Sequence, residues 1–434
     1  IGMKKWILSC LVMSVCATTV IIATSGSRHE ESSGPAPVPA VLRLNDTLTN
    51  ILSDIPDLDG MDSMVSQYLK KWEIKGASLA IMRNDSLVYA KGYGFADEEA
   101  GEEMSPRNIL RMASVSKLIT ASGIMLLQER GLLSLQDTIF GSCGILDESM
   151  FTESIKDKRI FNITVEQLLR HKGGFTCGLG DPMFSTLDIM RQFRLEEAPD
   201  NETLVKCVLS RRLGFAPGTS QSYSNFGYLL LSMVIEKITG SDYETFIKEN
   251  ILNPAGCYDM HIAYNHYDER YPNEVRYYMQ NGAEPCEAFD MSGRMVERCY
   301  GGSNIRGLYG AGAWCGSPAE LCRFVASIDG RPEIPDILSR DSIQAMTEYF
   351  DPDTFSLGWN DTKPDGEWTR TGTLAGTSAL VKCYPDGECW IMITNTGTYR
   401  GPYFSRHTAK LFNECREAYS ASLPHRNLFN QPAS

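Results

Sequence analysis

The stretch WTRTGTLAGTSALVKCYPDGECWIMITN, residues 368–395, contains three short runs rich in β-branched and aromatic residues: Trp368–Thr373, Ser378–Tyr384 and Glu388–Asn395. The last two are joined by Pro385-Asp386-Gly387, in which proline presets φ and glycine supplies the left-handed position of a tight turn. Far upstream, Ala77–Arg83 and Leu87–Gly92 flank Asn84-Asp85, a two-residue hairpin signal. Between these strand groups the chain reads as largely helical. Thr164 to Gln167, Ser241 to Glu244 and Ser317 to Glu320 each match a reciprocal capping box, and Gly131 and Gly240 close the two longest apolar-periodic helices. The expected fold class is α/β in the α+β sense. An antiparallel sheet is built from both chain ends, flanked by a helix around Met61–Trp72 and the last helices, with an inserted mainly α-helical subdomain. A ligand cleft is expected between the two parts.

Composition agrees with a folded body. Of 434 residues, 43% are hydrophobic, 10% aromatic and 22% charged, which excludes collagenous and disordered classes. The formal charge of −13 argues against a nucleic-acid or anionic-membrane binder, since both need a basic field. Met3-Lys4-Lys5 precedes an uncharged run from Trp6 to Ser27, the pattern of an export signal with small residues for cleavage near Ser25. Residues 6–27 are also long enough for a retained membrane tether, and a lipoprotein is the third alternative. Residues 1–28 are therefore assigned to an export signal or anchor, 29–44 to a Pro-rich tether, 45–420 to one catalytic-type domain and 421–434 to a C-terminal tail. An exported protein would lie in the periplasm or cell envelope.

Ser114-Val115-Ser116-Lys117 opens a helix running to about Arg130. Residues three apart share a helix face, so Lys117 can reach the Ser114 hydroxyl; burial would lower its proton affinity and let it act as a base. Taken alone, the motif also describes an exposed helix start with a solvated lysine. Tyr223-Ser224-Asn225 lies in a loop just before the helix Phe226–Thr239, where tyrosine can shuttle a proton and the asparagine amide can orient a carbonyl. Arg370-Thr371-Gly372-Thr373 puts a cation, a hydroxyl and a glycine on the first late strand, suited to a substrate carboxylate and a close-lying ligand. The N–H groups of Thr373 and Ser114 would form an oxyanion hole.

The three motifs run in the order serine, tyrosine, cation, with Tyr223 109 residues after Ser114 and Arg370 147 after Tyr223. This resembles the serine β-lactamase and penicillin-binding protein family, most closely its branch of class C β-lactamases, D-alanyl-D-alanine carboxypeptidases and related esterases. Gly76 to Ala80, Lys91 to Gly94, Leu168 to His171, the block from Pro217-Gly218 to Gly240, Asn253 to Gly256 and Trp390 to Asn395 look like that family's landmarks, and the likeness covers about Met61 to Asn395. The resemblance implies a β-lactamase-like fold. It implies Ser114 as acylated nucleophile, Lys117 as its activating partner, Tyr223 as general base and later acid, and Asn225 as a substrate-positioning amide. Arg370 stands where the family usually has lysine or histidine; it keeps the charge but leaves a proton-transfer role at that position in doubt. His171, whose neighbours Lys172 and Gly173 also depart from the family pattern, reads as a structural hydrogen-bonding residue.

No cofactor or metal is called for. G-x-S-x-G, H-E-x-x-H and G-x-x-x-x-G-K-[ST] are missing, and His261 and His266 read as loop residues. Thirteen cysteines include a candidate disulfide, Cys383–Cys389, across the Pro-Asp-Gly turn, and two weaker pairs, Cys315–Cys322 and Cys286–Cys299. Tyr271, Tyr277 and Tyr278 read either as cleft lining or as packing. The functional expectation is a serine hydrolase forming an acyl-enzyme on an amide, β-lactam or ester carbonyl of a small-molecule or peptidoglycan-derived substrate. The alternative is a membrane-tethered sensor of cell-wall fragments or β-lactams that is acylated without efficient turnover.

Overall fold

The computed structural model describes residues 43–430 apart from 179, 281 and 283. The export segment 1–28, most of the tether and residues 431–434 lie outside the described residues. The sheet consists of β1 (Gly76–Arg83), β2 (Ser86–Asp97), β3 (Glu102–Glu103), β4 (Asp361–Thr362), β5 (Trp368–Leu374), β6 (Thr377–Cys383) and β7 (Glu388–Thr394). Its strand order is β4-β5-β6-β7-β1-β2-β3, and every pairing is antiparallel. The chain ends meet where Ala77–Arg83 of β1 runs against Thr394–Glu388 of β7. Asn84 and Asp85 turn the first hairpin with φ of 44° and 57°, the mirror-image geometry that matches strand twist.

The principal helices are α1 (Asp59–Lys71), α2 (Ser116–Glu129), α3 (Val165–Leu169), α4 (Asn225–Thr239), α5 (Tyr243–Ile247), α6 (Pro318–Ala326) and α7 (Ser405–Tyr419). One sheet face packs Leu79, Ile81, Trp390 and Met392 against α1 and α7. The other packs Ala80, Met82, Val381, Ile391 and Ile393 against α6 and the helical insertion. Both faces are covered, so β6 and β7 are buried along their whole length and show no polar alternation. Helices α2 and α4 are apolar nearly all round, as befits elements in the middle of the insertion.

Thr164 and Gln167 form the full reciprocal cap of α3. At α5 the cap is Asp242, one residue after the expected Ser241, because its carboxylate accepts from Thr245 N at 3.1 Å. Ser317 caps α6 through Glu320 N, but the Glu320 carboxylate turns instead to the N–H groups of Tyr258 and Asp259. The body also extends past residue 420, where sequence places a tail. Leu423 and Leu428 are buried and Arg426 donates to Val88 O, so residues 421–430 seal the β2 side of the sheet. Leu44, assigned to the tether, is likewise a core residue. The described cysteines are all free thiols, so none of the three disulfides expected from sequence is formed, although Cys383 and Cys389 sit directly opposite each other on β6 and β7.

Candidate active site

A short strand, Leu110–Arg111, pairs with Trp314–Gly316, and Met112 N continues the ladder onto Trp314 O at 3.0 Å. The chain then turns sharply at Ala113, whose φ of 50° is left-handed for a residue with a side chain, a strain that is held by the surrounding packing. Ser114 therefore sits in a single 3-10 turn, Ala113–Val115, immediately before α2, and not within the helix as its motif suggests. Ser116 braces the turn from behind, its hydroxyl accepting from Trp314 N at 3.1 Å.

Lys117, fully buried, aims its ammonium at three oxygens: Ser114 Oγ at 3.2 Å, Asn225 Oδ1 at 2.6 Å and Ala311 O at 2.5 Å. The Ala311 carbonyl comes from the turn Arg306–Ala311, in which Tyr309 takes φ 47° and ψ −130°. That turn is pinned between α2 and α4, since Gly310 N donates to Ser232 and Gly310 O accepts from Thr120.

Tyr223 and Asn225 are set by the start of α4. Ser224 caps it by accepting from Gly227 N, and Ser224 N in turn donates to His171 Nδ1 at 3.1 Å. The His171 ring lies against Tyr223 with centroids 4.4 Å apart and planes tilted by 34°, and meets Phe355 edge-on. Burial holds His171 well below the usual imidazole range, with the charges of Lys117 and Arg370 acting in the same direction, so the ring is neutral. Its observed contacts are those of a residue that shapes the tyrosine loop. The Asn225 amide nitrogen donates to Asp181 Oδ2 at 2.6 Å, and Asp181 Oδ1 accepts from Met183 N at 2.9 Å.

Strand β5 closes the site from the sheet side. Arg370 is fully buried, with Nε donating to Ser114 O at 2.8 Å and one terminal nitrogen donating to Tyr223 Oη at 3.1 Å. This corrects the expectation that Arg370 meets a substrate carboxylate, because its guanidinium is turned inward onto protein partners. Thr371 donates both N–H and hydroxyl to Asn360 Oδ1, at 2.6 and 3.1 Å. Thr371 N–H thus points away from β6, and by the alternation of an antiparallel ladder Thr373 N–H points out of the same open edge, beside Ser114. Gly372 makes this approach possible: a Cβ there would lie 2.3 Å from Met112 O and 3.0 Å from Ser114 N.

Burial draws the Lys117 ammonium down to about 8; Arg370 adds to this and Tyr223 opposes it. For Tyr223 burial acts upward, but the charges of Lys117 and Arg370 outweigh it, and with hydrogen bonds from Lys117 and Ser114 they hold the phenol at about 8. Two groups with matched proton affinity therefore flank one hydroxyl. All eight sequence-selected residues gather here: Ser114, Lys117, Tyr223, Asn225, Arg370, Thr371, Gly372 and Thr373. Sequence reasoning missed Asp181, Asn360 and the Ala311 carbonyl. Tyr271, Tyr277 and Tyr278 belong to packing: Tyr271 stacks on His261, Tyr277 is buried against Arg111 and Glu274, and Tyr278 bonds Glu99.

A serine with a buried lysine one turn on, a tyrosine just before α4 and an inward-turned arginine on β5, carried on this sheet-and-insertion scaffold, defines a serine acyl-transferring hydrolase. The family profile described as Beta-lactamase matches residues 61–412, and the chain belongs to the beta-lactamase family. Among curated relatives, penicillin-binding protein 4* of Bacillus subtilis (strain 168) is 29% identical over 198 residues, 44% of this chain and 39% of its own length. The putative penicillin-binding protein PbpX of the same strain is 23% identical over 331 residues, 76% of this chain and 72% of its own. The match to the first thus spans only about two fifths of that relative. The fold is shared with D-amino acid amidase from Ochrobactrum anthropi SV3, with a TM-score of 0.65 and 19% identity over 85% of this chain and 99% of that one. It is shared too with the octameric penicillin-binding protein homologue from Pyrococcus abyssi, with a TM-score of 0.58 and 22% identity over 86% of this chain and 79% of that one.

Proposed function

We propose that the protein hydrolyses an amide, β-lactam or ester carbonyl through an acyl-enzyme on Ser114. The observation that carries this reading is the approach of Lys117 Nζ to Ser114 Oγ at 3.2 Å, with Tyr223 turned to the same two groups and holding a matched proton affinity. As Ser114 Oγ bonds to the carbonyl carbon, its proton passes to the Lys117–Tyr223 pair. The developing oxyanion lies against the N–H groups of Ser114 and Thr373, where the N-terminus of α2 also favours negative charge. When the intermediate collapses, the bond to the leaving nitrogen or oxygen breaks and Tyr223 delivers the proton to it. Water then attacks the acyl carbon, giving up its proton to the same pair; the bond from that carbon to Ser114 Oγ breaks, the pair returns the proton to Oγ, and the acid leaves. Arg370 anchors the Ser114 carbonyl and steadies the tyrosine oxygen.

The relatives that bear the name penicillin-binding protein support a small-molecule or peptidoglycan-derived substrate. The sequence of residues 3–27 supports export to the periplasm or cell envelope, with residues 6–27 as a candidate tether. The test is turnover of a chromogenic ester and a chromogenic β-lactam by wild type and Ser114→Ala. Loss of turnover in Ser114→Ala supports the reading, and unchanged turnover ends it. An adduct that forms and persists for hours supports the tethered sensor in place of the hydrolase.

A further inference from the structure

We propose that the basic, aromatic end of the α1–α7 helix pair is a docking surface for an anionic lipid bilayer, with the rings of Tyr399 and Tyr403 set among the headgroups and the neighbouring cations on the phosphates. The proposal stands apart from the acyl-enzyme reading at Ser114 and from the reading of residues 6–27.

The two helices run antiparallel: Gly60 lies against Tyr419, and the Tyr68 and Thr408 hydroxyls share a hydrogen bond of 2.9 Å. Charge is sorted along them. Lys70 and Lys71 close α1 where Arg406 and Lys410 open α7, and Arg400 stands in the loop just before. Asp59 and Asp62 lie at the other end of α1, about 12–17 Å from Lys70 along the axis at ~1.5 Å per residue. At physiological salt charges are screened over about 8 Å, so the acidity of the chain as a whole does not cancel this local field. Among the described residues Lys70, Lys71, Arg400 and Arg406 make no ion pair, and Lys410 has a loose one with Glu414 at 3.7 Å. Glu73, exposed two residues after Lys71, leaves the cations in excess. Burial holds the His407 imidazole below its usual range, the charges of Arg400, Lys71 and Lys410 act the same way, and no carboxylate opposes them. Arg406, in a first turn without an acid, also works against the helix dipole, so stability does not account for its place.

Aromatic rings are interleaved with these cations. Tyr399 and Tyr403 are 68% and 65% exposed, so most of each ring meets solvent. The Arg400 guanidinium lies 5.0 Å from the centre of the Tyr399 ring, and that of Arg406 lies 5.2 Å from the centre of Tyr403. Trp72 joins the loop to the core: its ring centre is 6.1 Å from that of Tyr399 and 4.6 Å from that of His407, and the Lys71 ammonium lies 5.9 Å over it. A groove lined by Lys71, Trp72, His407 and Lys410 continues the surface between the helices. A ring with an apolar body and a polar tip, beside a cation, suits the headgroup layer, where apolar and charged groups adjoin. Each arginine offers a lipid phosphate its planar fork. A soluble polyanion would meet the cations but leave both tyrosine rings in water, so the bilayer is the better match.

The experiment follows deuterium uptake of the segment 398–406 in the full chain, free and with three probes: phosphatidylcholine vesicles, vesicles that also contain phosphatidylglycerol, and a soluble polyphosphate. Residues 6–27 are present in every sample, so any attachment of their own is common to both kinds of vesicle. With the anionic vesicles uptake is expected to slow by at least about tenfold, the equivalent of about 1.4 kcal/mol of docking. The slowing should fade with added salt. Neutral vesicles and polyphosphate should leave uptake within about twofold of the free protein, and so should anionic vesicles with Arg400→Gln/Arg406→Gln or with Tyr399→Ser/Tyr403→Ser. All four side chains are exposed, so these variants are expected to fold, and thermal unfolding checks it. Uptake unchanged by anionic vesicles, equal slowing on neutral vesicles, equal slowing by polyphosphate, or slowing that survives either double variant overturns the proposal. None of these outcomes bears on labelling of Ser114, which tests the acyl-enzyme reading separately.

Discussion

Gly372→Ala tests whether the strand edge and the nucleophile turn must touch. The glycine is not in a left-handed conformation, so the penalty comes from space alone. An added Cβ would lie 2.3 Å from Met112 O, 3.0 Å from Ser114 N and 3.1 Å from Ala113 Cβ. Unstrained contacts of this kind sit near 3.5 Å, so β5 and the turn have to part by about 1 Å. Backbone stands on both sides, and no flexible side chain can absorb the shift. Overpacking of this sort costs about 1–3 kcal/mol of stability. The chemical loss is expected to be larger. This contact sets the spacing between the strand carrying Thr373 N–H and the turn carrying Ser114 N–H, and a displacement of about 1 Å in a catalytic geometry lowers rates on the order of 100-fold. Thermal unfolding gives the first quantity. The rate of Ser114 acylation by an activated ester, measured well below the melting temperature, gives the second. A folded Gly372→Ala protein that is acylated within twofold of the wild-type rate would refute the reasoning.

Three further outcomes follow from the same geometry. Below pH 8 the Lys117–Tyr223 pair holds both its protons and has no base, so kcat/KM for acylation should climb as pH rises through about 8; a profile flat from pH 6 to 9 would contradict the pairing. His171→Leu removes the acceptor for the buried Ser224 N–H and should lower stability by about 1–3 kcal/mol in denaturant unfolding, with slower acylation as the Tyr223 loop loosens; an unchanged midpoint would show the bond to be dispensable. Burial acts to raise the Glu388 carboxyl, but hydrogen bonds from Ser420, Arg83, Arg416 and Trp390 hold it at about 2. Its folded value lies below the unfolded one, so its contribution of about 3 kcal/mol is present above pH 4.5 and lost as pH falls toward 2. Glu388→Gln should therefore flatten the acid limb of the stability curve, and an unaltered limb would argue against that ion cluster.

Ser114, Lys117, Tyr223, Asn225 and Arg370 are readable in the sequence because local geometry fixes them: one helical turn, one helix start and one strand edge each place a side chain with little help from the rest of the fold. Asp181 is not readable. It lies in the loop before the helix Thr186–Phe193, where no regular element marks which residues face inward, and only the folded chain brings it to Asn225. The Ala311 carbonyl has no residue type to announce it, since any amino acid supplies one. The orientation of Arg370 escapes sequence reasoning for a related reason. Its charge suggests a substrate anion, whereas two protein oxygens, Ser114 O and Tyr223 Oη, satisfy it first. The strands at both chain ends give away the sheet, yet their burial on both faces erases the polar alternation that would show which helices cover it. The slip at α5 has a simple cause: Ser241 and Asp242 are both capping residues, and the carboxylate is the better acceptor.

The central claim is that Ser114 becomes acylated. Wild type and Ser114→Ala are exposed to a fluorescent penicillin and to an activated ester, then digested and mapped by mass spectrometry. The account predicts a single adduct on the peptide containing Ser114 in wild type and none in Ser114→Ala. An adduct on another residue, or equal labelling of both proteins, would contradict it.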